Sequence, residues 1–310
     1  MRRLLALAAV LAAAAPATAT GTSTAHAASI ADAPIRTVAA GQGRIGYRSV
    51  GHGPAVVLVM GLSGTMDAWP PSFVDRLAAS GHRVVTFDNE GIGRSTLGKG
   101  TLTIRRMAGD TASLIRALKL RRADVLGWSM GGMIAQATAM RHPRRVRRLV
   151  LAATAPGDGK GLAPDPSVFA MLSGAGEDAA TSGAAAGLLG LLFPADQQPA
   201  LEDYVRQIAA YPHFRAGAPA AVTQAQLGAC ATWMIGRDPA SASPARIAQR
   251  VLVGAGADDR LLPAANAEHI AAAAPHARLK VYPDAAHGFL FQGRSFEDAV
   301  VRFLHVRRHR

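Results

Sequence analysis

Four short runs between residues 55 and 152 are rich in valine and leucine: Ala55–Met60, Arg83–Phe87, Ala123–Leu126 and Val146–Ala152. They lack the apolar-polar alternation of a half-buried strand. A strand that is apolar at successive positions has to bury both faces, as happens where helices cover both sides of a mostly parallel sheet. The intervening segments supply those helices. Phe73–Ala79 ends at Gly81, Ile104–Leu118 follows, and Met130–Arg141 stops before Pro143. Ile45–Val50 adds a strand ahead of this block. Arg250–Val253 and Leu279–Tyr282 add two after it, with helices over Ala264–Ala274 and Phe296–Val306. The alternation predicts an α/β fold with a mostly parallel sheet.

Residues 156–246 break the rhythm. They are rich in Ala, Gly and Pro, with helical patches at Ala200–Ala209 and Val222–Met234 and no good strand. Ser182–Leu192 is biased so strongly toward Gly, Ala and Leu that a mobile segment is expected there. The strand pattern resumes at Arg250, so this block reads as an insertion that divides one core into residues 28–155 and 247–310. Of the 310 residues, 49% are hydrophobic, enough for a sizeable core, which excludes a disordered chain. The single cysteine, Cys230, excludes an internal disulfide and a multi-cysteine zinc site, and it reads as a small buried apolar side chain.

The first 27 residues read as a secretory signal peptide. Arg2-Arg3 form a positive start, Leu4–Ala15 are apolar throughout, and Ala25-His26-Ala27 is a small-x-small cleavage site. The apolar run is too short to span a bilayer. A soluble, secreted mature chain beginning at Ala28 is therefore expected, with no stable membrane insertion. The formal net charge is +13, from 34 Lys+Arg against 21 Asp+Glu. The densest basic run, Arg141–Arg148, spans a helix end, a turn and a strand start and carries no interleaved aromatics. It reads as a solvated face rather than a nucleic-acid surface.

The chemistry concentrates at Gly127-Trp128-Ser129-Met130-Gly131, between the strand ADVL and the helix MGGMIAQATAM. A Gly-x-Ser-x-Gly at such a junction is a nucleophile elbow, in which a tight turn exposes the serine hydroxyl and the glycines relieve the crowding. A serine hydroxyl needs a base oriented by a carboxylate. The strand from Arg250 runs into a loop with Asp258 and Asp259, and the strand from Leu279 runs into a loop with His287. Asp259, three residues after Gly256 and four before Pro263, is the candidate acid, and Asp258 is the alternative. His287 is the candidate base. His269 and His276 sit on or just past a helix, and His305 and His309 lie in the basic tail. Two backbone N–H groups could stabilise an oxyanion: Met130, in the first turn of its helix, and Leu62, in the loop Gly61-Leu62-Ser63-Gly64. Ser63 lacks an elbow and a following helix. Asp88–Ser95 lacks the lysine and spacing of a phosphate loop and reads as a structural turn, with Glu90 solvated.

Taken together, VVLVMGLSG, VVTFDNEGIGRS, GWSMGGMIAQ, VLVGAGADDRLLP and YPDAAHGF, in this order, resemble the α/β-hydrolase superfamily over residues 44–154 and 247–306. The resemblance implies an eight-stranded sheet with a helical cap inserted after the sixth strand, Ser129 as nucleophile, Asp259 as acid and His287 as base. Met60-Gly61 with Asp67-Ala68-Trp69-Pro70 is similar to secreted and antibiotic-modifying esterases, including anthracycline methyl esterases. A serine at the elbow disfavours the epoxide hydrolase and haloalkane dehalogenase branches, which the resemblance associates with an aspartate nucleophile.

The expectation is a serine hydrolase acting on a small to medium carboxylic ester through an acyl-enzyme, with no metal or organic cofactor. The same triad could instead serve lactone, amide or C–C hydrolysis, or cofactor-free perhydrolase and haloperoxidase chemistry. A binding protein without turnover is the alternative from another class. Phe169, Met171, Tyr204, Tyr211, Phe214, Trp233 and Met234 read either as a lining for a hydrophobic ester or as the cap's own core.

Overall fold

The computed structural model describes residues 29–168, 184–214 and 217–305. The expected signal peptide, Phe169 and Met171 lie outside the described residues. Eight strands form one sheet: β1 (Arg36–Ala40), β2 (Gly43–Val50), β3 (Ala55–Val59), β4 (Arg83–Phe87), β5 (Ala123–Trp128), β6 (Val146–Ala152), β7 (Arg250–Gly256) and β8 (Ala277–Tyr282). Their spatial order is β1-β2-β4-β3-β5-β6-β7-β8. The β1-β2 and β2-β4 pairs are antiparallel, and all others are parallel.

Burial on both faces explains the continuous apolar runs. Val57, Val59, Val125, Leu149, Leu151, Val251 and Val253 point into one core. Their neighbours Val56, Leu58, Leu126, Val150, Ala152 and Leu252 point into the other. The first core is closed by α2 (Ile104–Ala117), α3 (Met130–Arg141) and α7 (Ala264–Ala273). The second is closed by α1 (Pro71–Ala79) and α8 (Arg294–Leu304). Between β6 and β7 lie the cap helices α4 (Ala184–Leu192), α5 (Gln198–Ala209) and α6 (Ala220–Met234). Of the Gly/Ala/Leu-biased segment, Ala184–Leu192 forms a helix. Its sequence AAAGLLGLL has no polar face to create a helical period, yet Leu191 and Leu192 are buried.

The strand order reverses at β3: β4 lies on one side of it and β5 on the other. The carboxyl ends of β3 and β5 therefore flank a crevice, where ligands bind in open α/β sheets. The elbow and the Gly61–Gly64 loop both lie at this edge. At the opposite edge, a cleft of about 500 Å³ is lined by Arg121, Arg122, Pro143, Arg144, Arg145 and Val146. Arg147 in the same basic run pairs with Asp124, while Arg141 and Arg144 are exposed. No helix of the described residues is long and apolar enough to cross a membrane.

Glu90, expected to be solvated, is buried. It accepts a hydrogen bond from Gly98 N–H at 2.6 Å and pairs with Arg106, which explains why a charge is tolerated there. Asp110 lies beside it. Burial first, then the Glu90 charge and a hydrogen bond with Glu90, raise the Asp110 carboxyl from 3.8 to about 7, against the pull of Arg106. A carboxyl raised in this way holds its proton more tightly when folded. Its contribution is complete below the unfolded value and is withdrawn as pH climbs through about 7. The unfolding free energy of Asp110→Asn relative to the parent should therefore rise by about 2–3 kcal/mol between pH 5 and pH 8. Urea unfolding at the two pH values checks this, and an equal difference at both would contradict it.

Candidate active site

Strand β5 passes into α3 through one residue, Ser129, at φ 59° and ψ −124°. This left-handed conformation is costly for a side chain with a Cβ and persists only where the surroundings enforce it. Here Ser129 N–H donates to Ala152 O at 2.9 Å, and Thr154 Oγ1 donates to Ser129 O at 2.8 Å. The flanking glycines are required by close backbone approach. A Cβ on Gly131 would lie 2.0 Å from Val59 O, and one on Gly127 would lie 2.1 Å from Gly131 O.

Asp259 and His287 come together from the ends of β7 and β8. His287 Nδ1 and Asp259 Oδ2 are 2.8 Å apart, and both residues are buried. The second carboxylate oxygen, Oδ1, accepts from Leu261 N–H and Leu262 N–H at 2.9 Å each. Those two bonds fix the carboxylate, and the carboxylate fixes the ring. In neutral imidazole the bond places the proton on Nδ1 and leaves Nε2 free to accept one. Asp258 is exposed and its side chain takes no part in this pair. The imidazole loop is tied to the elbow by Trp128, whose Nε1–H donates to His287 O at 3.0 Å. Phe291 packs edge-on against the Trp128 ring with centroids 5.1 Å apart.

The loop after β3 crosses over the serine. A Cβ built on Gly61 would lie 3.2 Å from Ser129 Cβ and 3.7 Å from its Oγ. Among the described residues, no acceptor is bonded to the amide N–H of Leu62 or Met130. Ser63 has φ 59°, donates its N–H to Gln226 Oε1 at 2.8 Å, and has its hydroxyl 2.7 Å from Thr223 Oγ1. With that partner the hydroxyl has no base beside it.

A strained serine between a strand and a helix, a buried carboxylate-imidazole pair and free amide donors are the parts from which acyl transfer is built. The family model for the α/β hydrolase fold matches residues 54–294. The chain belongs to the α/β-hydrolase family. The family assignment accords with the eight-stranded sheet and the cap after β6. One relative, named carbamate hydrolase RutD, from Caulobacter sp. (strain K31), is 32% identical over 277 residues, covering 83% of this chain and 95% of that protein. The protein named non-heme bromoperoxidase BpoC of Mycobacterium tuberculosis is 40% identical over 110 residues, which are 36% of this chain and 42% of that one. An α/β hydrolase fold protein from Chitinophaga pinensis superposes with a TM-score of 0.76 at 28% identity, covering 88% of this chain and 98% of that one.

The cap residues do more than pack on one another. Tyr211 OH donates to Trp69 O at 2.8 Å, Tyr204 OH to Ala68 O at 3.2 Å, and Trp233 Nε1–H to Ala155 O at 3.1 Å. Each crosses from cap to core. Phe214 is partly buried against the same apolar cluster as Tyr204 and Tyr211, and Met234 is buried in the other. Gly288 N–H donates to Leu192 O at 2.7 Å, so the cap also holds the histidine loop. Cys230 is partly buried in the core with its thiol pushed up to about 12 by burial, as an inert apolar side chain would be. Trp128, Thr154, Thr223 and Gln226 were not legible as site residues, because each acts through a partner remote in the chain. The one available signal was the position of Trp128 inside the elbow motif.

Proposed function

We propose that this chain is a serine hydrolase that cleaves small to medium carboxylic esters through an acyl-enzyme. The observation that carries this reading is the 2.8 Å bond between His287 Nδ1 and Asp259 Oδ2, in a loop tied to the residue before Ser129. His287 Nε2 takes the proton from Ser129 Oγ as the oxygen attacks the ester carbon. The developing oxyanion receives the Leu62 and Met130 N–H groups, the second at the positive end of α3. Collapse breaks the bond to the alcohol, which leaves with the proton from His287. Water then attacks the acyl-enzyme in the same way and frees Ser129.

Trp128 lies against the His287 ring with centroids 5.5 Å apart, and Phe291 and then Tyr204 pack on from it, which supports an ester with a hydrophobic part. Carbamate hydrolysis is the second reading, favoured by the 32% identity to the protein named RutD across 95% of its length. Hydrolysis of p-nitrophenyl acetate, butyrate and octanoate, compared with p-nitrophenyl N-methylcarbamate and with peroxide-dependent bromination of monochlorodimedone, separates the readings. The ester reading predicts the highest kcat/KM on one of the three esters. Faster turnover of the carbamate, or bromination without esterase activity, would replace it.

We further propose that residues 1–27 direct secretion. The motif Ala25-His26-Ala27 supports cleavage at that point. Mass spectrometry of protein recovered from the culture medium should give an N-terminus at Ala28. Retention of full-length chain inside the cell would contradict it.

A further inference from the structure

We propose that Thr223 and Gln226, on cap helix α6, are positioning residues that hold the oxyanion loop in its working shape. This rests on the serine-hydrolase reading above and goes beyond it by assigning part of the catalytic geometry to the insertion. The loop Gly61–Gly64 cannot hold itself. Its two ends are glycines, its local backbone bond from Gly64 N–H to Gly61 O is long at 3.4 Å, and Ser63 sits at φ 59°. What fixes it comes from residues about 160 positions away: Gln226 Oε1 accepts the Ser63 N–H at 2.8 Å, and Thr223 Oγ1 lies 2.7 Å from Ser63 Oγ. Three residues apart on one helix, Thr223 and Gln226 share a face. Two bonds on Ser63 fix the peptide that follows Leu62, the donor.

The helix that carries them is itself anchored. Trp233 is fully buried and bonded to Ala155 O. Asp238, just beyond α6, accepts from Ile104 N–H at 2.8 Å and Arg105 N–H at 3.1 Å, capping α2. This part of the cap is therefore a fixed strut from the core to the loop. Gln226 is fully buried, and among the described residues its Nε2 has no partner. An unpaired buried donor costs stability. Among the described residues, the one bond the Gln226 side chain makes in that buried place is the one its oxygen receives from Ser63 N–H.

Activity and stability should therefore dissociate in variants of these two residues. Gln226→Met keeps the volume and removes both the acceptor and the unpaired donor. Thr223→Val removes the hydroxyl, and Thr223→Ser restores it. With p-nitrophenyl acetate, Gln226→Met and Thr223→Val should each lower kcat about tenfold, with KM within about twofold of the parent. Affinity for an aryl trifluoromethyl ketone, whose serine adduct carries the oxyanion, should weaken by the same factor as kcat. Thr223→Ser should keep near-parental kcat, and the unfolding midpoint of Gln226→Met should stay level or rise. Unchanged kcat and ketone affinity in folded Gln226→Met or Thr223→Val would overturn the proposal, as would a rise in KM alone. Should Gln226→Met fail to fold, the Thr223→Val and Thr223→Ser pair decides by itself. A parent enzyme that turns over no ester and binds no ketone would instead sink the hydrolase reading.

Discussion

Replacing Ser129 with alanine is expected to lower kcat by about a million-fold while leaving the unfolding midpoint close to that of the parent. The hydroxyl is the atom proposed to form the acyl bond, and removing it leaves oxyanion donors and binding without a nucleophile. Stability should hardly change. Alanine inherits the same φ of 59°, and the bonds that fix the turn run through the Ser129 backbone, not its side chain. Steady-state hydrolysis of a p-nitrophenyl ester, paired with a thermal melt, checks both halves. Residual activity above about one per cent in a folded variant would mean that another group attacks the ester.

Asp259→Asn is expected to lower kcat by about ten-thousand-fold through the tautomer of His287. In the parent, Oδ1 is held by the amides of Leu261 and Leu262, and Oδ2 faces the ring Nδ1. An asparagine would keep its carbonyl oxygen toward the two amides, turning its NH₂ toward the imidazole. The ring would then have to present a bare Nδ1 and carry its proton on Nε2, where it could no longer act as a base. Asp258→Asn, on the exposed neighbour, should leave kcat within about twofold of the parent. A loss at Asp258 with full activity at Asp259 would reverse the assignment of the acid.

The centre of the fold was legible in the sequence because β3, β5 and β6 bury both faces, and their runs of valine and leucine say so directly. The edges were not. Arg36–Ala40 is a five-residue strand paired on one side to β2, mostly exposed, and its RTVAA carries too little pattern to announce a strand. Glu90 reads as solvated from sequence because a carboxylate in a turn shows no partner there; Arg106, which bonds it, is 16 positions on. The residues proposed to carry the chemistry sit at strand ends beside glycines, where local motif and strand order coincide. Thr223 and Gln226 lie in a helix of small residues whose spacing gives no hint of a loop more than 150 positions earlier. The pattern shows where an element lies and which side is apolar, while the partners of a polar side chain are set by tertiary packing.

Whether Ser129 is an activated nucleophile can be read from incubation with a fluorophosphonate followed by peptide mass spectrometry. One phosphonyl adduct is expected, on the peptide containing Ser129, formed quickly in the parent, slowly in Asp259→Asn and not in Ser129→Ala. A folded parent that stays unlabelled, or an adduct on Ser63 instead, would show that Ser129 is not the nucleophile.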